Sequence, residues 1–141
     1  MLATIDDLEL RRLPSHDDAR GQLVVAELGE LVPFRVERLF YIQHAPLNQE
    51  RGGHAHRLCH QFVICMGGRV VVDVFDGERD RQITLGATDC VWIKPGLYAT
   101  ERFESETASI LVLCDRKFEP DDYVMGRAAF QLYRSEPANS A

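Results

Sequence analysis

Short runs of alternating or continuous apolar residues, each closed by turn residues, make up most of this chain. Leu8 to Leu13 predicts a first strand, stopped by Pro14 and the polar stretch to Gly21. Gln22 to Leu28 predicts a second, ended by Gly29-Glu30 and Pro33. In Phe34 to Ile42, residues Phe34, Val36, Phe40 and Ile42 share one parity, while Arg35 and Glu37 take the other. Gln61 to Met66 runs into Gly67-Gly68, and Arg69 to Phe75 into Asp76-Gly77, a strong hairpin signal. Arg81 to Leu85, Cys90 to Ile93, Tyr98 to Phe103 and Ser109 to Cys114 continue the series, punctuated by Lys94-Pro95-Gly96 and Glu104-Ser105-Glu106. Short strands at this spacing predict an all-β sandwich or barrel. Val70 to Val72 and Ile110 to Leu113 are apolar on both faces, which fits a closed double-sheet roll covered outside by another strand or subunit. Asp121 to Tyr133 has helix-formers between its aromatic residues and predicts a short C-terminal helix. No repeat, low-complexity segment or linker interrupts the pattern, so residues 1–141 read as a single domain.

Composition narrows the function classes. A chain of 141 residues is long enough for one substantial core. A net charge of -6 argues against a nucleic-acid surface, which needs clustered positive charge. No apolar stretch is long enough to cross a bilayer, and Met1 to Leu10 lacks the basic start and apolar run of a signal peptide. The expected location is therefore the cytoplasm. Cys59, Cys65, Cys90 and Cys114 form no Cys-x-x-Cys pair and read as buried free thiols. Cys59 lies beside a histidine cluster, and its plain reading is a small residue on the opposite face of that strand.

The histidine cluster is where chemistry concentrates. Arg51-Gly52-Gly53 leads into His54, Ala55 and His56, and alternate side chains of a strand share a face. His54 and His56 thus point the same way, and His60 joins them if the strand stays regular that far, although its expected role is structural, hydrogen-bonded beneath the site rather than catalytic. Such a group of imidazoles suits either a metal site or proton transfer.

Several segments in this order resemble one family. VPFRVERLFYI followed by RGGHAHRLCHQFVIC is similar to the nucleotide-sugar 3,4-ketoisomerases of the cupin superfamily, which carry Arg-Gly-x-His-Ala-His after a Pro-Phe…Arg…Tyr strand. CDRKFEPDDYVMGRAAF resembles their Tyr-Asp-x-x-Asp-Tyr…Phe ending, and Asp18-Ala19-Arg20-Gly21 their Asp-x-Arg-Gly segment, shared with dTDP-sugar 3,5-epimerases. The resemblance implies a cupin double-stranded β-helix (jelly roll) and a homodimer that can exchange N-terminal strands. It also implies a cofactor- and metal-free isomerase that moves the carbonyl of dTDP-4-keto-6-deoxyglucose from sugar carbon 4 to carbon 3, in deoxyaminosugar and surface-polysaccharide biosynthesis. Two departures stand out. Metal-binding cupins place a glutamate where this chain has His60, and a further histidine after a later Pro-Gly turn. Here Pro95-Gly96 is followed by Leu97-Tyr98-Ala99, where many ketoisomerases have Trp-His.

Moving a ketone to the neighbouring carbon needs a base near neutral pH, a donor for the developing oxyanion and a proton shuttle. His54 and His56 are assigned as the proton-transfer pair. Tyr41 matches the family's strand tyrosine, to orient the hexose or donate to the enediolate; the alternative is an interface or core tyrosine. Arg20 is the candidate pyrophosphate contact, reaching the partner's site if the strand is exchanged. Arg51 and Tyr98 are placed among the substrate-binding residues, a capping salt bridge being the alternative for Arg51. Arg38 has the parity of the apolar stripe, and a buried arginine needs an anion, from the protein or from the substrate. Three other readings compete: a metal-dependent, dioxygenase-like cupin using His54, His56 and His60; a nucleotide-sugar-binding cupin without activity; and a sugar 3,5-epimerase.

Overall fold

The computed structural model describes residues 1–139. Twelve strands and one α-helix follow one another along the chain. The strands are β1 (Glu9–Arg12), β2 (Ser15–Asp18), β3 (Gly21–Val24), β4 (Arg38–Ile42), β5 (Glu50–His56) and β6 (Gln61–Gly67). They continue as β7 (Arg69–Phe75), β8 (Asp80–Gly86), β9 (Asp89–Ile93), β10 (Tyr98–Phe103), β11 (Ser109–Cys114) and β12 (Tyr123–Met125), before α1 (Arg127–Ser135). Two antiparallel five-stranded sheets result, ordered β1-β9-β6-β11-β4 and β12-β5-β10-β7-β8. Their facing surfaces enclose the main core, with Val63, Cys65, Val91 and Ile110 from the first sheet against Val70, Val72, Val74 and Phe103 from the second. This is the all-β roll expected from the spacing of the apolar runs, in the jelly-roll form that the family resemblance implies.

The both-face apolar runs find their covers. Phe62, Ile64 and Leu113 on the outer face of the first sheet lie beneath Val32, Phe34 and Val36. The expected strand from Phe34 therefore begins only at Arg38, because the residues before it leave the sheet to lie across that face. On the outer face of the second sheet, α1 seats Phe130 and Tyr133 on Ala55, Phe75 and Val124. Turns are fixed by specific groups. The buried Asp76 accepts hydrogen bonds from the backbone N–H of Glu78, Arg79 and Ile5, tying the β7–β8 hairpin to the N-terminal segment. Gly68 has φ +67°, and a side chain there would collide with Ser105 Oγ at 2.2 Å, so glycine is required between β6 and β7.

Two further stretches differ from expectation. The polar stretch after Pro14 forms β2, which pairs with β3 as a separate two-stranded hairpin whose residues are all exposed. The helix expected over Asp121 to Tyr133 starts only at Arg127, since Pro120–Asp122 forms a 3₁₀ turn and Tyr123–Met125 pairs with β5. Among the described residues, no helix is long and apolar enough to cross a membrane.

Phe130 is fully buried and touches Phe75, Tyr98 and Tyr133, so α1 rests largely on this ring. Phe130→Ala is expected to cost about 3–5 kcal/mol of stability, read as a lower urea midpoint at unchanged slope.

Candidate active site

The inner face of β5 carries the histidines. Ala55 turns outward beneath α1, which leaves His54 and His56 facing the interior of the roll with ring centroids 5.0 Å apart, edge to face. β12 pairs beside them, with Tyr123 opposite His56 and Met125 opposite His54. The Tyr123 ring lies 4.5 Å from that of His56 and 4.9 Å from that of His54.

Asp122 fixes the orientation of His56. Its Oδ2 is 2.8 Å from His56 Nδ1, its Oδ1 accepts from the Leu58 N–H at 2.7 Å, and its carbonyl accepts from the Arg57 N–H at 2.8 Å. Both side chains are buried, at 7% and 3% exposure, so the contact is shielded from water. A carboxylate beside Nδ1 makes that nitrogen the donor and leaves Nε2 with its lone pair. His56 Nε2 is buried and has no protein partner. Burial lowers the pKa of His56, and Asp122 works against that by favouring the imidazolium. His54 has no carboxylate in contact. Burial, reinforced by the neighbouring His56, brings it down to about 4, so it is neutral at physiological pH.

Arg38 enters the same volume from β4. Its Nη2 donates to Cys114 Sγ at 3.5 Å, and its guanidinium lies 6.0 Å from the Phe40 ring and 5.7 Å from that of Phe118. Its Nε is buried without a partner. The partner that the half-buried Arg38 finds within the chain is thus a sulfur, not a carboxylate. The Cys59 thiol, followed by Arg38 and Gln61, holds Cys114 below the usual thiol range against the opposing effect of burial. The same contact with Cys114, together with burial, drives Cys59 up. Burial also raises the Tyr123 phenol, while the Arg38 charge pulls it down.

His54, His56 and Arg38 are therefore brought together, and other assigned residues stand apart from them within one chain. Tyr41 faces outward on the edge strand β4 and is 59% exposed, in keeping with its interface reading. Tyr98 lies on the outer face of β10 against Phe130, ring centroids 5.5 Å apart, because Ala99 takes the inward position opposite His54. Arg20 is at the end of the β2–β3 hairpin, exposed and paired with Asp18 at 2.7 Å. Arg51 is exposed on β5 opposite Glu101 in register.

His60 does not join the other histidines. β5 ends at His56, and His60 instead accepts from Trp92 Nε1 at 3.0 Å beside Phe34, among the residues of the outer cluster. The three-histidine metal arrangement is not formed. Cys59 also departs from expectation, since it is packed in the inner core rather than on an opposite face. His56, Cys59 and Asp122 bring donor atoms within 4.8 Å of one another. In that trio His56 Nδ1 and one Asp122 oxygen are engaged with each other, and the second oxygen with Leu58. Asp122 and Tyr123 carry no assigned role in the sequence pattern, where the helix expected over Asp121 to Tyr133 covers them. Pro120 ahead of the acidic pair was the available signal that a turn comes first.

Residues 6–135 match the family described as FdtA: WxcM-like, C-terminal. The chain belongs to this family. A curated relative, the TDP-4-oxo-6-deoxy-alpha-D-glucose-3,4-oxoisomerase of Aneurinibacillus thermoaerophilus, is 28% identical over 117 residues, covering 82% of this chain and 84% of the relative. A 3,4-ketoisomerase from Helicobacter canadensis superposes with a TM-score of 0.84 at 26% identity, covering 90% of this chain and 96% of its own. The WlaRB TDP-quinovose 3,4-ketoisomerase from Campylobacter jejuni gives 0.82 at 27%, covering 91% and 99%.

The depressed pKa of His54 has a consequence for stability. The unfolded chain takes up a proton near 6.5 and the folded chain only near 4, so stability is fully present above the first value and is lost as pH falls towards the second. His54→Asn removes this contribution. Chemical denaturation at pH 7 and pH 4.5 should show a smaller stability loss in the variant than in the native protein.

Proposed function

We propose that this protein is a sugar 3,4-ketoisomerase acting on a dTDP-linked 4-keto-6-deoxyhexose, the substrate named for its relative in Aneurinibacillus thermoaerophilus. The observation that carries the reading is the buried, unpartnered Nε2 of the Asp122-oriented His56, beside a neutral His54 and the unpartnered Nε of Arg38. This is a base, a shuttle and a cationic donor around one volume.

In the reaction, the imidazole pair removes the proton from carbon 3, alpha to the carbonyl at carbon 4. His56 is the stronger base of the two, because Asp122 stabilises its imidazolium, whereas a proton on His54 faces a second imidazole with no carboxylate in contact. At 5.0 Å between rings the pair holds one proton at a time. Arg38 donates to the oxygen on which charge develops, in a site where burial strengthens that contact. The pair then delivers the proton to carbon 4 of the enediol, and as the hydroxyl proton of oxygen 3 is transferred to oxygen 4 the ketone is left at carbon 3. Chemistry of this kind places the enzyme after formation of a 4-keto sugar nucleotide, in deoxyaminosugar and polysaccharide biosynthesis in the cytoplasm.

We further propose that residues 1–141 form a single domain and that two copies make the working unit. β4 is a sheet edge exposing Leu39 and Tyr41, and the β2–β3 hairpin exposes Leu23 without packing on either main sheet of its own chain. An unpaired apolar edge and an unsupported hairpin both call for cover. Exchange of that hairpin carries Arg20 to a partner's site, where its guanidinium suits pyrophosphate. Arg51, beside Gly52-Gly53, is a substrate contact of its own chain, and the proton transfer itself needs no cofactor.

His56→Asn and His54→Asn are expected to fold, bind dTDP and lose about 10²-fold or more in turnover. Incubation with dTDP-4-keto-6-deoxyglucose in heavy water, followed by proton NMR, reads both events. The His56 variant should also stop exchange at carbon 3. Native activity in both variants would remove the pair from the mechanism. Light scattering at micromolar concentration should find a dimer, and a stable monomer there would contradict the assembly.

A further inference from the structure

Glu101 is a carboxyl inside the roll with no counterpart in the mechanism above. It is 9% exposed, and its inward neighbours along β10 are Ala99 and Phe103, both members of the inner core. β7 sets Val72 opposite it, and β5 sets Arg51 opposite it on the other side. Among the described residues, no other side chain donates a hydrogen bond to it.

Its position relative to the histidines is set by a glycine. A bulge in the β5–β10 pairing follows His54, so the register sets Gly52 opposite Thr100 and Arg51 opposite Glu101, and Gly52 carries no side chain to stand between the histidines and that carboxyl. Gly52 has φ +85°, and a Cβ there would lie 2.7 Å from Glu101 Oε2. The carboxyl thus fills the space that a side chain at 52 would occupy, two residues along β5 from His54. Ala99, two residues back on the same strand, stands opposite His54 and carries no polar group. Burial raises Glu101 to about 7, with its own backbone N–H and the Arg51 charge pulling the other way.

Resting on the isomerase reading, we infer that Glu101 is the acid–base partner of the sugar oxygens, the complement to the histidine pair that handles the carbons. In the first half, the histidine pair takes the proton from carbon 3 and the Glu101 carboxylic acid gives its proton to the carbonyl oxygen at carbon 4. This leaves an enediol, an imidazolium and a carboxylate. In the second half, the imidazolium protonates carbon 4, and the Glu101 carboxylate takes the hydroxyl proton from the oxygen at carbon 3. The ketone now stands at carbon 3 and every protein group is back in its starting state. No oxidant, reductant or external proton is consumed. The acid comes from β10, displaced two residues from the position where Ala99 has none.

The test uses the full-length protein with Glu101→Gln, which keeps shape but carries no transferable proton, and Glu101→Met, which suits an apolar core and guards against a folding defect. Both should retain dTDP affinity and lose about 10²-fold or more in turnover of dTDP-4-keto-6-deoxyglucose. The native enzyme needs Glu101 protonated at the start, so its turnover should fall as pH rises through about 7, and the residual activity of Glu101→Gln should lack that limb. A readout independent of turnover follows from the same pKa. The native protein should lose stability as pH rises from about 4.5 through about 7, because the unfolded chain has already released this proton. Glu101→Gln should not. Native turnover in both variants with the alkaline limb intact overturns the assignment of Glu101 and leaves the isomerase reading standing. An inactive native enzyme overturns that reading, and the role of Glu101 with it.

Discussion

The contact between His56 and Asp122 is the constraint on which the site depends. It joins two segments far apart in sequence, and each would be aimed differently without the other. Asp122 also holds the Leu58 and Arg57 N–H groups, so a single residue closes the turn after β5 and selects the His56 tautomer. The 3₁₀ turn at Pro120–Asp122 places the carboxylate, and β12 keeps it there by pairing with β5. Behind β12 stands α1, whose Phe130 and Tyr133 press Val124 and Ala55 from the outer face. Packing energy on the outside of the sheet is thereby converted into orientation on the inside.

Burial supplies the second half of the account. Imidazoles in water titrate near 6.5 regardless of neighbours, and the differences here come from depth and company. His56 has a carboxylate and keeps access to its charged form. His54 lacks one and is held neutral. Arg38 brings positive charge to a place without an acidic partner among the described residues, and its nearest balancing group is the polarised sulfur of Cys114. A soft, weakly hydrogen-bonding sulfur leaves the guanidinium Nε free, which a bidentate carboxylate would have been able to occupy.

Much of this was legible in the chain, in proportion to how local each feature is. An all-β sandwich or barrel follows from turn residues at regular intervals between apolar runs, its jelly-roll form is what the family resemblance implies, and the shared face of His54 and His56 follows from strand parity alone. Arg38 was assigned to the inner face by the same parity and lies there. The placement of four features was not legible. His60 keeps the parity of the pair in sequence but lies beyond the end of β5, and parity means nothing across a turn. Asp121 to Tyr133 reads as one amphipathic segment, yet its first part pairs with β5, a choice made by tertiary contact rather than propensity. Tyr41 matched a family position, but in strand β4 it faces away from the histidines while Arg38 and Phe40 face inward. Glu101 had no signal beyond a charged residue at an inward position of an otherwise apolar alternation.

The most direct test of the central claim is the tautomer of His56, read by nitrogen-15 NMR of the histidine side chains at pH 7 in the unliganded protein. The account predicts a protonated Nδ1 coupled to a strongly downfield proton, and an Nε2 with the shift of an unprotonated imine nitrogen. Asp122→Ala should abolish that pattern. A His56 that carries its proton on Nε2, or averages between the two nitrogens as free imidazole does, would contradict it.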